Sequence, residues 1–336
     1  ALANLSIANN GTTAEIIAGD NESVSVEVEN LGEADGNFDV DLTLDNETTT
    51  QSVPVAGGET ETVTFDGVTG DLGAGDYTVT VSTDNGAETL TGDLTVLEQA
   101  DVTLEDLNIA GNGTAAEIVA GDNESVAVTL NNTGDVAGAA DVTLTVDGVE
   151  RTQRVRDLGA GTTTTVTFSN VTGDLAASDY NVDVATGTDS VAGTLSVLTP
   201  ADPVFSAFEV AGETGDAEIL TGDNESVAVT VTNTGEEVSA FDVTLDIGDG
   251  AVTETNTTTE LGENETQTVT FENVTGDLGA GEYNVMVTTD GDAENSTLTV
   301  LNRADVTLAN LDVADTGTSA EIVPGDAENV SVDVTM

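Results

Sequence analysis

The side chains with chemistry to offer are asparagines, carboxylates and a short run of arginines. The triplet Asn-x-Ser/Thr, an acceptor for N-linked glycans, occurs at Asn4, Asn10, Asn21, Asn46, Asn112, Asn123, Asn131, Asn170, Asn224, Asn256, Asn264, Asn273, Asn295 and Asn329. That is 14 of 25 asparagines, where chance in a chain with about one Ser or Thr in five predicts roughly five. Crowding of Asn, Ser and Thr into turns explains part of the excess. The rest predicts N-linked glycans, and with them export. The threonine runs 162–165 and 257–259 offer O-linked sites, but threonine on a strand edge is the simpler reading.

The carboxylates number 64, so close pairs are inevitable and no acid–base pair can be read from spacing. No Asp-x-Asp-x-Asp-Gly loop with a distal Glu occurs, so an EF-hand is unsupported. Asp101, Asp202 and Asp305 recur at repeat junctions and are the candidate ligands for a divalent cation that would stiffen them. The alternative is a solvated Asp opening a strand, which the need of hard cations for six or more oxygens favours. Arg151, Arg154 and Arg156 fall within six residues. In a strand Arg154 and Arg156 share one face and Arg151 takes the other. They either pair with local carboxylates or form a docking patch for an acidic surface of another subunit.

The missing residue types exclude much. All four basic side chains are arginine, and Lys, His, Cys and Trp are absent. That removes Ser-His and Cys-His nucleophile pairs, ordinary zinc sites, disulfides, P-loops and Schiff bases. No catalytic constellation is present, so the chain reads as a non-enzyme with no cofactor beyond glycans and the junction cation. The formal charge of −60 excludes ordinary nucleic-acid binding, which needs cations to displace phosphate counterions. No apolar run reaches 18 residues, so nothing here spans a membrane as a helix.

These groups need a scaffold, and the acids point to it. Such charge usually means disorder, but hydrophobic residues make up 38% of the chain and alternate with the acids. Phe38-Asp39-Val40-Asp41-Leu42-Thr43-Leu44-Asp45 has the period of a half-buried strand with an acidic outer face. Dense like charge without lysine predicts an extreme halophile, because strong salt screens the repulsion. A calcium-loaded acidic matrix protein is the rival.

The sequence repeats at about 102 residues. Ala14-Glu15-Ile16-Ile17 followed by Gly19-Asp20-Asn21-Glu22-Ser23-Val24 returns from Ala116, from Ala217 and, modified, from Ala320. Phe65 through Val68-Thr69-Gly70-Asp71-Leu72 to Tyr77 returns at Phe168–Tyr180 and Phe271–Tyr283. The units are 1–98, 99–199 and 200–302, with 303–336 repeating only a unit's opening. That fragment cannot bury its own apolar face; either the true chain continues, or the fragment donates a strand to a neighbouring subunit. Each full unit carries seven or eight short Val/Thr-rich strand signals and no helical periodicity. The expected architecture is all-β: tandem immunoglobulin-like β-sandwich domains, beads on a string. In the first unit the inward set is Val24, Val26, Val28, Phe38, Val40, Leu42, Leu44, Val63, Phe65, Tyr77, Val79, Val81, Leu94 and Val96. Tyr77, Tyr180 and Tyr283 open a strand where a tyrosine corner sits.

Val229-Thr230-Val231-Thr232-Asn233-Thr234-Gly235-Glu236, Phe241-Asp242-Val243-Thr244-Leu245, Gln267-Thr268-Val269-Thr270-Phe271 and Gly281-Glu282-Tyr283 resemble the CARDB type of immunoglobulin-like module, which is common in surface-layer and adhesion-type proteins of haloarchaea. The resemblance implies a cell-surface or extracellular location. It fits a structural role, a filament or surface layer made through self-association or contacts with other surface proteins. An adhesin or stalk, and the spacer domains of a secreted enzyme, are the alternatives.

Overall fold

A computed structural model describes residues 1–83, 87–325 and 327–335 of the chain. The first repeat forms β1 (Leu2–Ile7), β2 (Thr13–Ile17), β3 (Val24–Glu29), β4 (Gly36–Leu44), β5 (Glu47–Val55), β6 (Thr60–Phe65), β7 (Gly75–Thr83) and β8 (Glu88–Leu97). The second forms β9 (Val102–Ile109), β10 (Ala115–Val119), β11 (Val126–Asn132), β12 (Gly138–Val146), β13 (Val149–Leu158), β14 (Thr163–Phe168), β15 (Ser178–Ala185) and β16 (Ser190–Leu198). The third forms β17 (Pro203–Val210), β18 (Ala217–Leu220), β19 (Val227–Asn233), β20 (Asp242–Ile247), β21 (Val252–Thr257), β22 (Thr266–Phe271), β23 (Gly281–Thr288) and β24 (Ala293–Leu301). Each repeat is an immunoglobulin-like sandwich. In the first, a five-stranded sheet ordered β2-β8-β7-β4-β5 faces a three-stranded sheet ordered β1-β3-β6, and the other two keep this order. The chain divides into two compact units, Ala1–Val197 and Leu198–Met336. The first holds two sandwiches, the second holds the third.

Alternation sets the layers. Val24, Val26 and Val28 of β3 and Val40, Leu42 and Leu44 of β4 are buried, while the residues between them face outward. The expected inward set is buried except Phe38 and Tyr77, which are half-buried against the core. Leu2, Leu5, Ile7 and Val55 join it. Strict alternation cannot bury Leu2 together with Leu5 and Ile7. A bulge resolves the conflict: the β1–β3 register slips between Ala3 and Ser6, with Asn4 at φ 50°, and the extra residue reverses the facing of the rest of the strand. Asp106, Ala207 and Asn310 repeat it at φ 48–50°.

Residues after the third sandwich form β25 (Thr307–Val313) and β26 (Val330–Thr335), paired antiparallel. Leu308, Val330 and Val334 on this pair are exposed.

Candidate functional site

The repeat junctions are built around one buried amide per sandwich. Asn132 is fully buried. Its Nδ2 donates to the carbonyls of Val136 (2.8 Å) and Leu158 (2.9 Å), and its Oδ1 accepts from the amides of Gly134 and Asp101, both at 3.2 Å. Asn233 repeats the set with Glu237, Leu261, Gly235 and Asp202. Each holds the incoming linker against its own sandwich. Gly134 and Gly235 are required where the linker crosses: a Cβ would lie 2.0 Å from the Gln99 carbonyl oxygen and 1.9 Å from that of Pro200. Gln99 also reaches back, its Nε2 donating to the Ala18 carbonyl at 2.7 Å. Arg303 stands at the same repeat position. Its Nε donates to the Thr221 carbonyl at 2.7 Å and its guanidinium pairs with Asp223.

The junction acids belong to this clamp. The Asp101 carboxylate accepts from the Thr133 hydroxyl at 3.1 Å, and Asp202 from Thr234 at 2.9 Å. Asp305 is exposed ahead of β25. Among the described residues no group of three or more acidic side chains is placed to hold a metal ion.

A second device pins the long loop before the tyrosine strand. The hydroxyls of Thr69, Thr172 and Thr275, each 1% exposed, accept from the amides of Glu22, Glu124 and Glu225, all at 2.7 Å. They donate in turn to the carbonyls of Asp20 (2.7 Å), Asp122 (2.7 Å) and Asp223 (2.8 Å). The tyrosines close the same loop as corners: Tyr77, Tyr180 and Tyr283 donate to the carbonyls of Gly73, Ala176 and Gly279 at 2.9, 2.9 and 3.0 Å. Neither the buried amides nor the buried threonines stand out in the sequence. Their signal is recurrence at the repeat spacing in Asn-x-Gly and Val-Thr-Gly-Asp.

The arginines lie on β13, an outer strand of its sheet. Arg154 pairs with Asp141 at 3.0 Å, and Arg151 donates to the carbonyls of Ser169 and Asn170 at 3.2 and 3.1 Å. Arg156 is exposed. Arg151 pairs in register with the buried Leu144 and Arg154 with Asp141, so the two point to opposite faces. The three are neighbours on one edge, but two are engaged within the sandwich.

Of the fourteen glycan triplets, thirteen asparagines are exposed and Asn131 is half-buried. Several sit where the backbone needs φ above zero: Asn4 (50°), Asn46 (63°), Asn170 (56°), Asn264 (58°) and Asn273 (59°), a region that Asn tolerates better than most residues.

CARDB matches residues 2–94 and 104–192. The third sandwich lies outside those residues and has the same strand order. Among solved structures, the chain is similar to one described as giving structural insight into host cell surface retention of a 1.5-MDa bacterial ice-binding adhesin, at 21% identity over 90% of this chain and 98% of that one, with a TM-score of 0.43. It is similar to the I67–I69 I-band fragment of titin at 16% identity, over 90% and 99%, with a TM-score of 0.29. It is also similar to a tetra-tandem repeat in the extending region of a large adhesion protein, at 18% identity over 96% and 87%, with a TM-score of 0.27. No curated protein matches. No helix among the described residues is long and apolar enough to cross a membrane. With the match covering more than half of its residues, the chain belongs to the CARDB family.

Proposed function

We propose that this chain is an extracellular structural protein of an extreme halophile, in which tandem glycosylated CARDB sandwiches form or decorate a surface filament or surface layer. One observation carries the reading. Against 64 carboxylates the described residues make three ion pairs, one of them through the Ala1 amino group. The acids are therefore balanced by solvent ions and not by protein cations.

The magnitudes favour brine. Alternate residues of one strand, such as Asp39 and Asp41 of β4, stand roughly 6.5 Å apart. Two like charges at that distance repel by about 0.6 kcal/mol in unscreened water, by about 0.3 at 0.1 M salt and by under about 0.1 at 1 M. Summed over a few dozen neighbouring pairs, that difference comes to roughly 5–10 kcal/mol across the three sandwiches, a sizeable share for domains that are each held folded by roughly 5–15 kcal/mol. The exposed sugar triplets add support for a surface location, and the repeated junction clamps suit units that set a spacing.

The test is circular dichroism of the chain against NaCl, with chelator present. The β-sheet signal should persist at molar NaCl and fade on dilution. A fold unchanged in low salt without divalent ions refutes the halophile. Rescue at low salt by micromolar calcium selects the matrix-protein rival. Electron microscopy of the native surface tests the assembly; dispersed monomers refute the filament.

A further inference from the structure

We infer that the fold sorts the sugar triplets into acceptors and structural by-products: glycans attach to Asn10, Asn46 and Asn112, and not to Asn131, Asn170, Asn256 or Asn273. This rests on the reading of an exported glycoprotein. In the transfer, the asparagine Nδ2 forms a bond to C1 of a sugar carried on a polyprenyl phosphate. The bond from C1 to the phosphate oxygen breaks, the lipid phosphate leaves with its electron pair, and a base of the transferase takes one amide proton. A transferase that meets the folded chain needs both a free side-chain amide and a reachable hydroxyl two residues on.

The by-products all fail on the hydroxyl, which is engaged in each, and Asn131 and Asn256 fail on the amide as well. Thr172 and Thr275 are the third residues of the Asn170 and Asn273 triplets, and they are the buried loop clamps described above. The first sandwich shows why they exist. There Thr69 makes the same two bonds, but Gly67 fills the asparagine position at φ 64°, so no triplet forms. That position needs a residue at positive φ and the other needs a buried hydroxyl; Asn with Thr meets both backbone demands without any sugar.

Asn256 follows the same logic. Its Nδ2 donates to the Thr270 carbonyl at 3.2 Å, as the Nε2 of Gln51 and Gln153 do to Thr64 and Thr167 at 2.9 and 2.8 Å. In each sandwich this amide bridges an outer strand of one sheet to an outer strand of the other. Its triplet ends in Thr258, 5% exposed, whose hydroxyl accepts from the Phe241 amide at 2.9 Å. Asn131 lies on β11, between β9 and β14, with its Nδ2 on Glu105 at 3.0 Å. The hydroxyl of its triplet, Thr133, is on the Asp101 carboxylate.

The acceptors differ. Asn10 and Asn112 occupy the turns after β1 and β9 in two sandwiches. Asn46 takes the second place of the two-residue turn joining β4 and β5, with Asp45 and Asn46 at φ 48° and 63°. The three asparagines, with Thr12, Thr114 and Thr48, are exposed; the Thr48 hydroxyl shares one bond with the neighbouring Thr43 hydroxyl at 3.0 Å, on the open face of the hairpin. No hydrogen bond to another described residue engages the side chains of the three asparagines, and these turns project from the strand ends.

Glycopeptide mass spectrometry of the native protein tests the division. Sugars at Asn10, Asn46 and Asn112, with bare Asn131, Asn170, Asn256 and Asn273, are expected. Sugar on Asn170 or Asn273 overturns the division and leaves the glycoprotein reading standing; bare asparagines throughout overturn both. A second arm uses chain made in a host without the transferase. There Thr172→Val should lower the melting temperature by roughly 5–15 °C through loss of both hydroxyl bonds, while Thr114→Val leaves it within a degree or two. Equal effects of the two variants overturn the division whatever the sugars show.

Discussion

Replacing Asn132 with alanine tests the junction directly. The side chain is fully buried and makes five hydrogen bonds, three donated to the carbonyls of Val136, Leu158 and, more weakly at 3.3 Å, Gly159, and two accepted from the amides of Gly134 and Asp101. Each bond contributes about 0.5–1.5 kcal/mol net, and truncation leaves the partners without a match. The sum is about 4 kcal/mol, a large share of one domain's stability. For a sandwich of this size it corresponds to a fall of more than about 15 °C in melting temperature. Scanning calorimetry of the full chain at fixed high NaCl reads the variant. A shift below about 5 °C would show that the amide does not hold the linker.

Gly134→Ala places a Cβ 2.0 Å from the Gln99 carbonyl oxygen. It should expose residues 97–101 to limited proteolysis, whereas Gly187→Ala, which meets nothing within 4 Å, should not; equal cleavage would dismiss the steric argument. Tyr180→Phe removes one bond to the Ala176 carbonyl and should cost about 1 kcal/mol, seen as a small drop in melting temperature of the second sandwich; no drop would deny the corner its role. Changing Arg151, Arg154 and Arg156 together to Glu should leave the monomer folded, since the half-exposed Arg154–Asp141 pair contributes under about 1 kcal/mol. If β13 is a docking edge, light scattering of the assembled material should collapse. Unchanged assembly rejects the patch.

How far the sequence reads can be judged at single residues. Val24, Val26 and Val28 announce their own burial, because a strand turns alternate side chains to one face whatever lies elsewhere. Repeats at 102 residues likewise announce tandem sandwiches, since one pattern copied three times must fold one way three times. What escapes this logic depends on partners far along the chain. Leu2 and Leu5 share the core only because a bulge at Asn4 breaks the alternation. Asp101 shows as a recurrent junction acid, but its bond goes to Thr133, 32 residues on. The Asn170 triplet looks like any other until Thr172 is seen clamping Asp122 and Glu124 some 50 residues back. Alternation, repetition and charge are local or periodic properties, and a linear chain displays them in full. Whether a hydroxyl or an amide is free for chemistry depends on which distant loop closes over it, and only the packed sandwich brings those loops together.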